Sequence, residues 1–463
     1  MSLKRGITYI FGANIVNFAI NIIISFLLPK YLCINTYSVI KTFQFYVGYI
    51  GIMHFGYVDG MYLKYGGKTI CDIDQHELAE NIATMRVFQV IIAVLGISIC
   101  LIIQDYVLMA CLFSVVPQNM KAYYSSLYSA TGEFKQYAKL TNNFSILFFL
   151  MNMSLLYLGI YEEYIYYIVG YISIDVLLWG ILEKKFCKTF DINTFFRIKV
   201  SFTCLYQNIR DGILLMLGNL SSVLLTGQDR WCIKIFMDNT VFAQYSFCVS
   251  LEGIINFVVL PMSRAFYNYF CIHKDAKSIQ KLTDMVVVIT TLLVIAVFPL
   301  KLIIEYNLRE YTGAMNVLIL LFATQIFYVC IKCVYLNLYK AFKKQKLYFI
   351  RLITIIVVGF VLNIILYSIY SIKEAFAVGT LICSIIWFIM SVFDFKEYMP
   401  AKKTYLYILA ELIVFLFCGF FMNPVMGCGA YFLLTAVCIC ILMRKEFLFL
   451  WNELVSVFKR GNR

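Results

Sequence analysis

The sequence predicts an all-α polytopic membrane protein, and three observations support this fold class. Of the 463 residues, 62% are hydrophobic and only 14% are charged, whereas a soluble domain carries roughly 25% charged residues. The apolar residues form successive blocks of about 20 residues, the length of a helix that crosses a hydrocarbon core. These blocks do not alternate in polarity as the strands of a membrane β-barrel do.

About 14 such blocks follow one another along the chain. They cover approximately residues 7–28, 39–59, 85–104, 106–128, 141–160, 164–183, 208–227, 241–262, 283–304, 313–336, 348–370, 375–394, 404–422 and 426–443. The first block is too long for a signal peptide and no small-residue cleavage site follows it, so it is interpreted as the first span. The segments between blocks are too short to form a separate soluble domain.

The distribution of Lys and Arg predicts the orientation of the spans. If the N-terminus is cytoplasmic, most of the 39 basic residues fall in cytoplasmic segments, as the positive-inside rule requires. The outside segments hold only Lys30, Lys41, Arg230, Lys234, Lys301, Arg309 and Lys373. An even number of spans then places both termini in the cytoplasm.

The spacing of the spans indicates an internal repeat. Tyr37-Ser38 leads the second span, and Tyr245-Ser246 leads the eighth. Six spans in each half give both halves the same orientation, which is typical of parallel transporter repeats. We therefore expect one six-helix bundle at 1–200, a second at 201–398, and two additional helices with a cytoplasmic tail at 399–463, the two bundles enclosing a central cavity.

Polar residues inside these apolar spans are the candidates for a substrate cavity, because polar groups are costly in lipid unless they face a partner or water. Asn14, Asn17 and Asn21 recur at helical spacing and predict a polar stripe on the first span. Hydrogen bonding between helices is an equally simple explanation for this stripe. The complete candidate set is Asn14, Asn17, Asn21, Lys41, Gln44, Asp229, Arg230, Glu252, Asn256 and Lys332.

The charged members of this set allow two readings each. Glu252 stands alone in an apolar span, and a contact with Lys41 in a central cavity is one hypothesis; the other is that Lys41 reaches the outer interface. Asp229 and Arg230 fit a cavity or an ion pair at a helix end. Lys332 and Arg210 lie toward the cytoplasmic side, where they could receive an anionic headgroup (Arg210 at its entry) or anchor the helices.

Several other functions are excluded by the motifs. Gly66-Gly67-Lys68-Thr69 resembles the end of a nucleotide-binding P-loop, but Tyr62 stands where its first glycine belongs. The three histidines and 16 cysteines show no spacing typical of a metal site. The sequence thus predicts neither cofactor nor metal nor catalytic residues. The net charge of +13 lies in short loops, which predicts contact with anionic lipids and not with nucleic acid.

At the level of motifs, the chain resembles the polysaccharide flippases, or repeat-unit flippases, of the multidrug/oligosaccharidyl-lipid/polysaccharide exporter superfamily. The motifs of the first half that carry the resemblance are Gly12-Ala13-Asn14, Leu28-Pro29-Lys30-Tyr31, Tyr37-Ser38, Phe55-Gly56-Tyr57-Val58-Asp59-Gly60 and Tyr65-Gly66. Those of the second half are Asp229-Arg230, Ala243-Gln244-Tyr245-Ser246, Leu260-Pro261-Met262-Ser263-Arg264 and the stretch from Tyr311 to Leu318.

This resemblance implies two six-helix bundles arranged as a V around a central cavity, with two peripheral helices. It implies a flippase of the bacterial inner membrane that moves undecaprenyl-pyrophosphate-linked oligosaccharides (O-antigen, capsule or exopolysaccharide units) by rocking of the bundles. Polymerase and glycosyltransferases of the same pathway are the implied partners. This cavity is less basic than those of the most cationic family members, and Glu252 is the candidate for ion coupling.

Two alternatives belong to other classes. A small-molecule antiporter of the same fold is favoured by the acidic Glu252 and disfavoured by the 14 expected spans, because that branch resembles the 12-span core. A membrane-embedded glycan polymerase is expected to carry a large outside loop with arginines, and an acyltransferase an intramembrane histidine. The sequence shows neither feature.

Overall fold

The fold is all-α, as the sequence predicts, in a computed structural model that describes residues 3–190, 200–272 and 274–450. The helices that precede residue 237 are α1 Leu3–Tyr31, α2 Ile34–Val47, α3 Tyr57–Tyr65, α4 Gln75–Ile103, α5 Tyr106–Phe113, α6 Val115–Ala130, α7 Phe134–Tyr157, α8 Tyr164–Phe190 and α9 Phe202–Phe236. The remaining helices are α10 Asn239–Glu252, α11 Asn256–Ile272, α12 Ala276–Leu293, α13 Val297–Asn307, α14 Met315–Cys330, α15 Leu336–Ala341, α16 Gln345–Tyr370, α17 Lys373–Asp394, α18 Lys402–Phe421 and α19 Pro424–Leu442.

Within the described residues, 11 helical segments are long and apolar enough to cross a membrane, and a shorter apolar helix covers Ile15–Tyr31. The protein is therefore a multi-pass membrane protein. Two further spans expected from the sequence, 39–59 and 106–128, are each divided. The first consists of α2, a 3₁₀ turn at Ile50–His54 and α3, and the second consists of α5 and α6. Each piece is too short to span a bilayer alone.

The chain forms two compact units, Met1–Leu224 and Leu225–Arg463, and the boundary falls inside α9. The limits expected from the sequence, residues 200 and 398, divide the chain into two six-helix bundles and two additional helices. This division stays a prediction. In the N-terminal unit, the Tyr57 hydroxyl donates to Asn81 Oδ1 at 2.8 Å, and Tyr123 donates to the same oxygen at 3.1 Å. A single buried amide thereby links α3, α4 and α6.

Buried ion pairs fix α8 in the same unit. Lys121 of α6 pairs with Asp175, and Arg86 of α4 lies 3.4 Å from Glu183, whose other oxygen accepts the Trp179 indole N–H. Charges inside an apolar bundle are tolerated when they are paired in this way. These charges therefore have a structural role.

The centre of the C-terminal unit is α14, in which every residue from Val317 to Cys330 is buried. A helix that is apolar on all sides belongs in a core. The last two helices join this unit through buried polar contacts: Thr404 donates to Asp284 at 2.6 Å, and Tyr431 donates to the Thr291 carbonyl at 2.9 Å.

Candidate functional site

A polar cavity of about 260 Å³ lies within the C-terminal unit. Five of the residues predicted from the sequence line it, namely Asp229, Arg230, Glu252, Asn256 and Lys332. Leu225, Thr226, Val249, Gly253, Leu321, Tyr328 and Thr380 complete the lining. Residues more than 100 positions apart in the chain thus converge on one small volume.

Glu252 stands where the eighth span changes from an α-helix to a 3₁₀ turn. Helix α10 ends at Glu252, a 3₁₀ turn covers Gly253–Ile255, and α11 begins at Asn256. The carboxylate accepts a hydrogen bond from the Gln325 amide. Gln325 is buried in the most apolar part of α14, so its amide has few alternatives to this partner.

Lys332 is placed by a π turn at Ile331–Tyr335, between α14 and α15. Its ammonium donates to Asn256 Oδ1 at 3.3 Å and lies 5.8 Å from the centroid of the Tyr328 ring. A π turn shifts the backbone hydrogen bonds by one residue, and such turns are frequent at functional sites. Here the turn directs a cation into the cavity from a helix that is otherwise core.

Two side chains hold the π turn. The Ser263 hydroxyl donates to the Lys332 carbonyl oxygen at 2.8 Å. The Asn337 amide donates to the carbonyl oxygens of Ser263 and Cys333, both at 2.8 Å. Together they donate to carbonyl groups of the turn and of α11, and they tie α11 to the segment that carries Lys332.

We expect Asn337→Ala to loosen this turn without removing the charge in the cavity. Buried carbonyls left without a donor cost about 1–3 kcal/mol, so thermal unfolding in detergent should show a lower free energy of unfolding. Asn316→Ala, at an exposed position near the start of the same span, is the matched control and should leave stability unchanged. Equal stability of the two variants would contradict the bracing role.

Asp229 is held more rigidly than Glu252. It is buried and accepts hydrogen bonds from the Tyr245 hydroxyl at 2.7 Å and from the backbone N–H of Arg230 at 2.7 Å. Tyr245, part of the Tyr-Ser pair in the sequence, is fully buried. This arrangement fixes the direction of the Asp229 carboxylate. Because one of the two hydrogen bonds comes from the Arg230 backbone, it also fixes the backbone position of Arg230.

The cavity thus contains two carboxylates, Asp229 and Glu252, and two cationic side chains, Arg230 and Lys332. Charges of opposite sign in a confined, weakly polarisable space stabilise one another. An incoming anion can bind Arg230 and Lys332 if the Glu252 carboxylate is protonated or binds a cation. The arrangement therefore suits exchange of charged ligands more than covalent chemistry.

The remaining candidates belong to the N-terminal unit and are not among the residues that line this cavity. Lys41 Nζ lies 5.3 Å from the Tyr37 ring centroid, and Gln44 is partly buried. Asn17 Oδ1 is buried without a hydrogen-bond partner, whereas Asn21 is exposed. The side chain of Asn14 lies outside the described residues. The polar stripe and the contact between Lys41 and Glu252 stay predictions.

Arg210 is exposed, and its guanidinium lies 3.0 Å from the carboxylate of the adjacent Asp211. Its expected role in headgroup entry also stays a prediction. Sequence reasoning did not select Gln325, Tyr245, Ser263 or Asn337 as site residues. An amide inside an apolar span was the only signal for Gln325 and Asn337, and many structural amides give the same signal.

Comparison with known proteins gives a fold and no sequence family. No protein-family model and no curated protein sequence matches the chain. The solved structure of a lipid II flippase, MurJ, in an inward closed conformation is similar, with a TM-score of 0.62 and 15% identity over 96% of this chain and 99% of that one. The solved structure of MATE in complex with Br-NRF gives a TM-score of 0.34 and 12% identity over 85% of this chain and 93% of that one. The chain shares the fold of the lipid II flippase.

Proposed function

We propose that the protein is a flippase that translocates undecaprenyl-pyrophosphate-linked oligosaccharide repeat units across the bacterial inner membrane. The observation that carries the proposal is that two cationic side chains, Arg230 and Lys332, line the same polar cavity. The similarity to the solved structure of a lipid II flippase supports it. Transport then proceeds by alternating access, with both termini in the cytoplasm.

The physical need for such a cavity follows from the substrate. A pyrophosphate with a sugar chain cannot cross hydrocarbon unaided, because desolvating its charges and hydroxyl groups costs too much free energy. Arg230 and Lys332 provide donors for phosphate oxygens, and Asn256 and Thr380 provide polar groups beside them. The polyprenyl tail remains in the lipid while the headgroup passes through the protein.

Glu252 supplies the coupling step of this proposal. Its carboxylate shares the cavity with Lys332, so a proton or metal cation bound at Glu252 releases the lysine for the anionic headgroup. Anionic lipids at the cytoplasmic face, together with the polymerase and glycosyltransferases of the same pathway, are the proposed partners. O-antigen, capsule and exopolysaccharide units all fit this description.

The second candidate function is a cation-coupled antiporter for small molecules, and the two carboxylates of the cavity favour it. Cells that lack the protein separate the two functions. A flippase predicts lipid-linked repeat units on the cytoplasmic leaflet and their export after re-expression. An antiporter predicts normal glycan export and altered resistance to cationic drugs. Repeat units that reach the outer leaflet but remain unpolymerised would contradict both and indicate a polymerase.

A further inference from the structure

A second polar cavity, of about 190 Å³, lies within the N-terminal unit. It is lined by residues 48–54 between α2 and α3, by α3 itself, by α6 and by the middle of α9. Its polar lining residues are Tyr49, His54, Asp59, Ser126 and Asn219. None of these five belongs to the candidate cavity set predicted from the sequence, and the proposed transport site does not use them.

His54 lies inside the apolar block 39–59, so the expectation that no histidine lies within a span is wrong for this residue. Its tautomer is fixed by its surroundings. His54 is buried, and its Nδ1 accepts a hydrogen bond from the backbone N–H of Gly56 at 3.1 Å. An imidazole nitrogen that accepts carries no proton, so neutral His54 carries its hydrogen on Nε2. Nε2 faces Asp59 Oδ2 at 3.9 Å, and Asp59 Oδ1 accepts from the Asn219 amide at 3.3 Å.

The charged groups on neighbouring helices have other partners. Lys121 of α6 pairs with Asp175, Arg86 of α4 pairs with Glu183, Lys64 of α3 pairs with Glu77, and Arg210 of α9 pairs with Asp211. Helix α4 faces the turn with Gln89, whose amide donates to the Met53 carbonyl at 3.2 Å. The titratable groups among the described lining residues are therefore Tyr49, His54 and Asp59.

The turn that follows His54 depends on the same hydrogen bond. Phe55 and Gly56 both adopt left-handed backbone conformations, with φ of 49° and 85°. For Phe55 this conformation is uncommon and needs support from its surroundings. The bond from Gly56 N–H to His54 Nδ1 closes the turn at that point, and α3, which begins at the next residue, packs closely against α9.

We infer that His54 and Asp59 form a proton-binding couple that controls the turn between α2 and α3. A proton taken up by neutral His54 forms an N–H bond at Nδ1, which then no longer accepts from Gly56. The imidazolium keeps its Nε2–H toward the Asp59 carboxylate, so the couple changes from one negative charge to a neutral ion pair. Proton uptake thereby releases the Gly56 N–H and loosens the turn.

Histidine nitrogen shifts of the full-length protein in detergent test this inference, because the chain has three histidines. His76→Gln and His273→Gln identify the remaining signal as that of His54 without changing it. We expect the Nε2–H tautomer at high pH and conversion to imidazolium as the pH is lowered. A Nδ1–H tautomer, or a signal that does not titrate, would overturn the couple.

Asp59→Asn tests the partner, and Glu133→Gln, at an exposed site in the same unit, is its control. The His54 signal should convert at a pH about one unit lower or more in Asp59→Asn, because an opposite charge within about 4–6 Å favours the charged form. It should not move in Glu133→Gln. Equal midpoints in the two variants would refute the role of Asp59.

Hydrogen exchange of the segment 50–65 tests the release of the turn. After correction for the intrinsic pH dependence of exchange, the Gly56 amide should exchange at least tenfold faster once His54 is protonated. His54→Gln should abolish that pH dependence. Protonation without faster exchange would refute control of the turn. These readouts require no transport, so they stand or fall independently of the proposed flippase function.

Discussion

Replacing Lys332 by Met should reduce export of the polysaccharide roughly 10- to 100-fold at matched expression. A hydrogen bond to a charged group contributes about 1.5–3 kcal/mol, and 1.4 kcal/mol corresponds to a tenfold change in an equilibrium constant. Met keeps the length and apolar stem of the side chain but removes the ammonium that faces Asn256. Arg230 would then be the remaining cation among the described residues of the cavity.

The measurement is the amount of surface polysaccharide together with the leaflet position of the lipid-linked precursor. Lys340→Met is the matched control, since Lys340 lies on the following helix, α15, and its side chain is exposed. Export at the wild-type level in Lys332→Met would remove this residue from the transport site.

A double variant separates ligand binding from simple charge balance. The reference is Glu252→Gln alone, because Glu252 also supplies the proposed coupling step. If Lys332 served only to neutralise Glu252, then Lys332→Met combined with Glu252→Gln would export as much as Glu252→Gln alone. If Lys332 binds the headgroup, the double variant should fold but export less than Glu252→Gln alone. Thermal unfolding of both proteins in detergent establishes that loss of export does not reflect loss of structure.

The fold class could be predicted from the sequence because it depends on the lengths of apolar blocks. The division of two spans could not, because the 3₁₀ turn at Ile50–His54 and the break between α5 and α6 occur inside continuous apolar segments. Local polarity alone does not reveal where the backbone hydrogen bonds of a buried helix are interrupted. At the first of these breaks the turn carries a partner from a distant helix, Asn119, which donates to the Ile50 carbonyl at 3.3 Å.

Half of the predicted site residues share a cavity, and the reason is physical. Charged residues such as Glu252 and Lys332 stand out in apolar spans because only a polar cavity or a partner accommodates them. The residues that orient them are less distinctive. Ser263 and Asn337 act through the π turn that places Lys332, and no periodicity in the sequence predicts that turn.

The contact between α3 and α9 explains why small residues are required at Gly56, Gly60 and Gly212. A Cβ atom on Gly212 would lie 2.0 Å from the Gly56 carbonyl oxygen, and one on Gly60 would lie 2.0 Å from the Asn208 carbonyl oxygen. Both obstacles are backbone atoms, which cannot move aside as a flexible side chain can. Small residues four positions apart are typical of helices whose backbones touch inside a membrane.

Gly212→Ala should therefore destabilise the protein strongly. Overpacking in a core typically costs about 1–3 kcal/mol, and occasionally more; a contact at 2.0 Å with backbone requires α3 and α9 to separate, so we expect the upper end or beyond. Gly218→Ala on the same helix is the control, since its Cβ would meet no atom within 4 Å. Alanine there should be neutral or stabilising, because glycine inside a helix is less favourable by about 0.8–1.0 kcal/mol. Thermal unfolding in detergent should show a loss of stability for Gly212→Ala and none for Gly218→Ala, and equal stabilities would show that α3 and α9 do not touch as described.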